Sequence, residues 1–559
     1  MLTKIAETSR NIALQRERKA ILDDQSFSAQ NDNELRWPIV AITDHNKPKI
    51  ELAPDVVRFQ REYVDIIPQG WTAISISLSE SRQELCLTKM QPGHSPFVLR
   101  LPLGRNNSRD VDEEVFDFDQ GKAELLEIIE LANDNSHGAK ELTGRGAKTA
   151  WWAEREALDA RLKDLLENIE TVWLGGFKGI FSQHRPRPDT LARFQKSFTN
   201  ILDKHLPSRQ NANKKSKNAR VTLDTRILEL FIGLEEASAE DCNLDEALTD
   251  LLYFIVDILQ FHGERNAYDE IDFDSIVIET HDALRSYQEA MLAASSINED
   301  KHTILILDKA LHAFPWESLP CMNGLAVSRL PSLDCLRERI LGQQNSSASI
   351  SPDRYYVEAV NGSYVLNPGG DLKTTQSTFE NDLQGLSTWS GIIKREPTEA
   401  EMRDNLESKD IFLYFGHGSG AQYIRSKAIK RLNKCAVTIL MGCSSGALTE
   451  AGEFEPFGPP IDYMLAGCPA LVATLWDVTD KDIDRFAKST FELWGLFNSQ
   501  LTHSEQTSKG KGKKRASPSP ICGEQKSLVK AVAEGRKACN FRYLTAAAVC
   551  VYGIPVYLK

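Results

Sequence analysis

No apolar run in this 559-residue chain exceeds about seven residues, the longest being 546–552, whereas a helix that crosses a bilayer needs roughly 20. The first 30 residues mix charge and polarity and contain no apolar signal-peptide core. Both absences predict a soluble, intracellular protein with no membrane partner. No Cys-x-x-Cys pair occurs among the 10 cysteines, and the 11 histidines do not cluster with them. That spacing argues against a structural zinc site and, outside a secreted setting, against a disulfide framework. The thiols are expected to be reduced and mostly packed as small hydrophobes. No internal repeat of fixed period is present, and no metal or cofactor is expected. A net charge of −13 argues against a protein whose whole surface tracks nucleic acid, which would be basic.

What is present is globular. Hydrophobic residues make up 41% and charged residues 26%, with 23 Pro and 33 Gly; these proportions exclude collagen, a Pro/Gly-rich disordered chain and a coiled-coil rod. At roughly 150 residues per domain the length allows about three to four domains. Residues 1–70 read as a polar helix and an irregular stretch. Three short alternating runs, 72–78, 84–90 and 96–103, are separated by turn formers and predict an antiparallel meander near 71–103. Helical periodicity follows over 153–180, 194–206, 223–234 and 244–261. Polar stretches at 211–220 and 342–352 read as linkers, and the acidic stretch 235–246 as a solvated helix junction.

After about residue 300 the rhythm becomes strand then helix. Strand candidates lie at 303–307, 355–366, 411–415, 436–441 and 470–476, and helix candidates at 375–386, 399–406, 460–466, 480–498 and 527–538. Short apolar strands alternating with helices predict an α/β fold, its mostly parallel sheet covered on both faces. Function in such sheets collects at the carboxyl ends of the strands. The organisation therefore reduces to two parts: a mostly helical domain over 1–299 that carries the small meander, and an α/β domain over 300–559 with a disordered basic insertion near 501–525.

Two strand ends carry chemistry. Strand 411–415 runs into Gly416-His417-Gly418-Ser419-Gly420, and strand 436–441 into Gly442-Cys443-Ser444-Ser445-Gly446. Glycines on both sides let backbone N–H groups approach a substrate carbonyl, and Cys beside His is the pairing that yields an activated thiol. Either residue alone is more often packing or loop; the two together at successive strand ends point to function. Cys435 and Cys468 lack this setting and read as structural. Gly442 to Gly446 also fits the Gly-x-Ser-x-Gly elbow of serine hydrolases, with Ser444 as nucleophile. That fold needs its histidine after the serine, and His503, in a segment that reads as disordered, is the only one available. A phosphate-cradling loop is a weaker reading still, because neither turn ends in Gly-Lys-Ser/Thr. The third strand end runs into Asp477-Val478-Thr479-Asp480, with Thr479 a helix N-cap candidate. Asp480 and Asp484 fall on one helix face at i, i+4, where a carboxylate can pair with a substrate arginine.

At these residues the chain resembles separase, the cohesin-cleaving endopeptidase, over the C-terminal half of that large protein. The resemblance rests on Leu307-Asp308-Lys309, Phe314-Pro315-Trp316-Glu317-Ser318-Leu319-Pro320, Tyr364-Val365-Leu366-Asn367-Pro368, both glycine turns and Trp476-Asp477-Val478-Thr479-Asp480. It is strong over about 300–559 and looser before, through Trp151-Trp152 and Leu174-Gly175-Gly176. The His and Cys turns fit any caspase-like peptidase; the Pro-Trp-Glu-Ser segment narrows the match. The resemblance implies a caspase-like fold and cleavage after arginine in the kleisin subunit of cohesin at anaphase. It further implies inhibition by securin as pseudosubstrate, and residence in nucleus and cytoplasm. Carried over, Cys443 is the nucleophile, His417 the general acid/base, and the backbone N–H groups of Gly418 and Cys443 the oxyanion hole, with no third triad member required. For the arginine pocket, Asp484, Asp480 and Asp477 compete. The family's long helical-repeat region is missing, so the chain reads as a domain of the longer protein. The stretch 509–520, with Lys509, Lys511, Lys513, Lys514 and Arg515, reads as a solvated loop, a nuclear-import signal or a weak DNA contact. Ser517 and Ser519, each before a proline, are candidate phosphorylation sites within it. The alternative function is a catalytically silent caspase-like interaction module.

Overall fold

The computed structural model describes residues 7, 10–21, 52–105, 116–138, 144–210, 221–234, 244–293, 301–345, 354–497 and 525–559. The stretches 211–220, 235–243, 346–352 and 501–524, with His503, Ser517 and Ser519, lie outside the described residues. Fifteen strands form among the rest. In chain order they are β1 (Trp71–Leu78), β2 (Glu84–Met90), β3 (Phe97–Pro102), β4 (His302–Leu307), β5 (Val327–Arg329), β6 (Tyr355–Val357), β7 (Gly362–Leu366), β8 (Ser390–Ile393), β9 (Ile411–Phe415), β10 (Val437–Leu440), β11 (Thr449–Ala451), β12 (Phe454–Phe457), β13 (Ala470–Thr474), β14 (Val549–Gly553) and β15 (Val556–Leu558). An 11-stranded sheet in the order β3-β2-β1-β4-β5-β14-β13-β10-β9-β7-β8 forms the spine. It is antiparallel at β1–β2, β2–β3 and β13–β14 and parallel elsewhere. This is the mixed α/β fold with a mostly parallel sheet that the strand-helix rhythm predicts.

The central strands read as unbroken apolar runs because both faces are covered. In β9, Leu413 and Phe415 enter the core on one side and Phe412 and Tyr414 the core on the other, all essentially fully buried. Alternate strand residues point to opposite faces, so only a sheet sandwiched between helices can bury all four. Beneath the carboxyl ends, Phe379 of helix Lys373–Gln384, Phe415 of β9 and Phe491 of helix Asp480–Trp494 pack ring against ring. That aromatic cluster ties both flanking helices to the strand that delivers His417.

The meander is where the sequence places it, but it joins the central sheet: β1 pairs in parallel with β4, Trp71 opposite His302 through Ile76 opposite Leu307. The sheet thus runs continuously across residue 300. The helix expected over 153–180 ends at Asn168 and continues as a π-turn and a 3₁₀ segment. Gly175 adopts φ 53°, and a Cβ at Gly176 would lie 2.2 Å from the carbonyl of Ala247. The two glycines turn the chain and let helix Asp245–Phe261 pack directly on it. The single strand expected over 355–366 splits into β6, which pairs with β15, and β7, which joins the main sheet. Gly342 to Asn345 close helix Leu333–Asn345 rather than starting a linker.

The Pro-Trp-Glu-Ser segment has a structural reason. Glu317 and Arg329 form a bidentate pair at 2.6–2.7 Å with both side chains 1% exposed. Arg329 also donates to the carbonyls of His312 and Phe314 at 2.7 Å. Removing one partner strands a buried charge, which costs about 3–5 kcal/mol against a total stability of about 5–15 kcal/mol. Glu317→Ala is therefore expected to lower the urea midpoint steeply, with Glu317→Gln milder; equal midpoints for Glu317→Ala and the parent would contradict this.

Candidate active site

The strands before His417 and Cys443 are neighbours: β9 and β10 pair in parallel, Ile411 opposite Val437 through Tyr414 opposite Leu440. Their two turns touch. A Cβ on Gly442 would lie 2.0 Å from the carbonyl of Gly418 and 2.5 Å from that of Gly416, so only glycine lets the cysteine turn lie against the histidine turn. Gly418 has φ 62°, and Tyr414 Oη donates to the His417 carbonyl at 2.9 Å. These contacts set the His417 and Cys443 backbones side by side, with both residues lining one cleft beside Thr375, Val478, Asp480 and Asp484.

Cys443 is partly buried, and its Sγ donates to the carbonyl of Val478 at 3.5 Å. Burial first, then the nearby charges of Asp477 and Asp480, push its thiol above the ordinary cysteine range. The resting nucleophile candidate is therefore a neutral thiol. Ser444, the next residue, sits at φ 51°, a left-handed conformation that costs a non-glycine residue of order 1–3 kcal/mol. Its Oγ donates to Asp477 Oδ1 at 2.6 Å. Ser444 is thus engaged in holding its own turn.

His417 Nε2 lies 2.7 Å from Asp371 Oδ2, both side chains about half exposed. Sequence reasoning missed Asp371. It follows β7 in the turn Asn367-Pro368-Gly369-Gly370, and an acid after the strand beside β9 was the available signal. Asn367 braces that turn: it is fully buried with φ 51°, accepts from the Leu372 N–H at 2.9 Å and donates to Gln376 at 3.0 Å.

The three aspartates separate. Asp484 is 4% exposed and, among the described residues, accepts one hydrogen bond, from Thr375 Oγ1 at 2.9 Å. Burial chiefly, and Asp480 secondarily, lift its carboxyl to about 7. Asp480 is exposed at the rim of the same cleft. Asp477 is bound to Ser444 and is not part of the cleft lining. Thr479 occupies the N-cap position of helix Asp480–Trp494, but its side chain makes no capping bond.

A histidine and a cysteine at the ends of adjacent parallel strands in a helix-covered sheet define the class: a caspase-like cysteine peptidase domain. The family model described as separin, protease domain, matches residues 80–483. The chain is 50% identical to a curated Separin of Emericella nidulans over 98% of its own length and 25% of that protein. To the Separin of Schizosaccharomyces pombe it is 46% identical over 90% of its length and 26% of that protein. The Saccharomyces cerevisiae separase in a crystal structure of the separase–securin complex superposes with a TM-score of 0.76 at 30% identity, covering 91% of this chain and 32% of that one. The chain belongs to the separin protease-domain family and spans about a quarter of the length of the curated relatives it matches.

Proposed function

We propose that this chain is the catalytic part of a separase, an endopeptidase that cuts after arginine in the kleisin subunit of cohesin and so releases sister chromatids at anaphase. In this reading Cys443 attacks, His417 moves the proton, the N–H groups of Gly418 and Cys443 receive the oxyanion, and Asp484 binds the arginine. The carrying observation is the shared cleft, which holds the thiol, the imidazole turn and a buried carboxylate without a basic partner among the described residues. A guanidinium is the group that satisfies such a carboxylate, bidentately and with charge. Asp480 at the rim adds to the pull. Securin as a partner is supported by the Saccharomyces cerevisiae relative, solved as a separase–securin complex; its binding as a pseudosubstrate is part of the proposal. Residence in nucleus and cytoplasm is part of the same proposal. The basic stretches on which a DNA contact was expected lie outside the described residues, and the proposal does not use them.

The test is covalent labelling with a peptidyl-arginyl acyloxymethyl ketone, followed by peptide mapping. One adduct per chain on Cys443, absent with a peptidyl-aspartyl analogue, is the expected result. No adduct on a folded chain would favour the catalytically silent module instead.

A further inference from the structure

Two networks converge on the cysteine turn, and the peptidase reaction described above uses only one of them. The other comes from the end of β13. Thr474 Oγ1 donates to the carbonyl of Gly442 at 2.7 Å, and the Gly446 N–H donates to the carbonyl of Thr474 at 2.7 Å. The Ser444 N–H donates to the carbonyl of Trp476 at 3.2 Å, while its hydroxyl donates to Asp477 at 2.6 Å. Asp477 is tied outward in turn: its N–H donates to Asn133 Oδ1 at 3.3 Å. Asn133 belongs to helix Phe118–Gly138, which enters the chain long before the strands that carry the site.

We propose that Asp477 is a positioning residue, and that with Asn133 it latches the left-handed Ser444 so that Cys443 is held over the cleft. The inference rests on Cys443 being the nucleophile. A non-glycine residue stays left-handed only where its surroundings over-determine it; besides the Ala447 N–H within the turn, which donates to its carbonyl at 3.1 Å, the bonds to Ser444 come from Trp476 and Asp477. Released, Ser444 relaxes toward an ordinary conformation and carries the adjacent Cys443 with it. Asp477 then contributes nothing to arginine recognition, in contrast to Asp484 on the cleft floor. The latch also gives the N-terminal helical part a direct mechanical connection to the nucleophile.

The test compares Asp477→Ala, Asp477→Asn, Ser444→Gly, Asn133→Ala and the double variant Asp477→Ala with Ser444→Gly, each checked for folding by thermal melting. Turnover of an arginyl peptide and the rate of Cys443 alkylation by iodoacetamide are the readouts. Because a displacement near 1 Å costs about 100-fold in rate, Asp477→Ala is expected to lose roughly 10- to 100-fold in kcat with KM nearly unchanged. Asp477→Asn, which keeps an acceptor for the Ser444 hydroxyl, recovers most of that loss. Ser444→Gly in the Asp477→Ala background recovers part of it, because glycine adopts the turn without help. Asn133→Ala shows the same kcat-only pattern at smaller size. A loss in Asp477→Ala that falls on KM, or one that Ser444→Gly does not relieve, overturns the latch. A wild-type kcat in Asn133→Ala overturns the helix's share in it. A Cys443→Ala chain that still cleaves overturns the peptidase assignment itself, which separates that failure from a failure of the latch alone.

Discussion

Cys443→Ala and His417→Ala are each expected to leave a folded chain with at least about a 10⁴-fold loss in kcat on an arginyl peptide, since members of a nucleophile–base unit fail together. The burial of the thiol and the field of Asp477 and Asp480 favour the neutral form of Cys443, so attack as proposed needs a base, and His417 in the neighbouring turn is the candidate. In the proposed reaction the thiolate attacks the carbonyl after arginine, and oriented N–H donors would stabilise the oxyanion by roughly 3–4 kcal/mol each. In the same proposal His417 protonates the leaving amine, a step that would contribute about 10²–10⁴-fold. Asp371 enters here. A carboxylate that accepts from Nε2–H fixes the tautomer and leaves Nδ1 as the atom that exchanges the proton. Because that pair is half exposed, solvent screens it, and Asp371→Ala is expected to cost only about 10-fold, within the range of such outer contacts. Measurable turnover in folded Cys443→Ala would refute the assignment; a wild-type rate in His417→Ala would refute the base.

The histidine and cysteine turns were legible because each sets a candidate reactive side chain in a glycine-flanked turn at the end of an apolar strand, and such turns are decided locally. Asp371 was not, because its link to His417 depends on β7 and β9 being neighbours, a pairing that no local pattern specifies. The same limit explains the sheet. Strands β5 and β8 have three and four residues, too few to show a period, and β14 is hidden in an apolar run that a helix can equally use. The parallel pairing of β1 with β4 joins segments on either side of residue 300, so the meander looked like part of a separate domain. Of the three candidate aspartates, i, i+4 spacing correctly grouped Asp480 with Asp484 on one face. It could not show that Asp477 is occupied by Ser444, because that contact is made between two strand ends.

Asp484→Asn is expected to lower kcat/KM on arginyl substrates by about 10²- to 10³-fold, the scale for truncating one partner of a buried charge pair, while making the unliganded chain more stable at neutral pH. The sign follows from the carboxyl's position at about 7 against an ordinary 3.8. Below pH 4 both folded and unfolded states carry the proton and the residue is neutral in the balance. Between about 4 and 7 only the unfolded state ionises, so stability falls as pH rises, by at most about 1.4 kcal/mol per unit from this group. Above about 7 the penalty is constant. Asparagine keeps an acceptor for Thr375 without the charge, so its stabilising effect should be near zero at pH 4 and grow to on the order of 4 kcal/mol by pH 8. Binding reverses the balance: a guanidinium favours the carboxylate, so arginyl ligands must displace a proton below pH 7. The affinity of a reversible arginyl aldehyde is therefore expected to weaken by up to tenfold per unit as pH falls from 7 to 5. That dependence should disappear in Asp484→Asn along with the preference for arginine. An affinity that stayed constant across this interval in the parent chain would place the arginine on another group, with Asp480 at the rim the next to test.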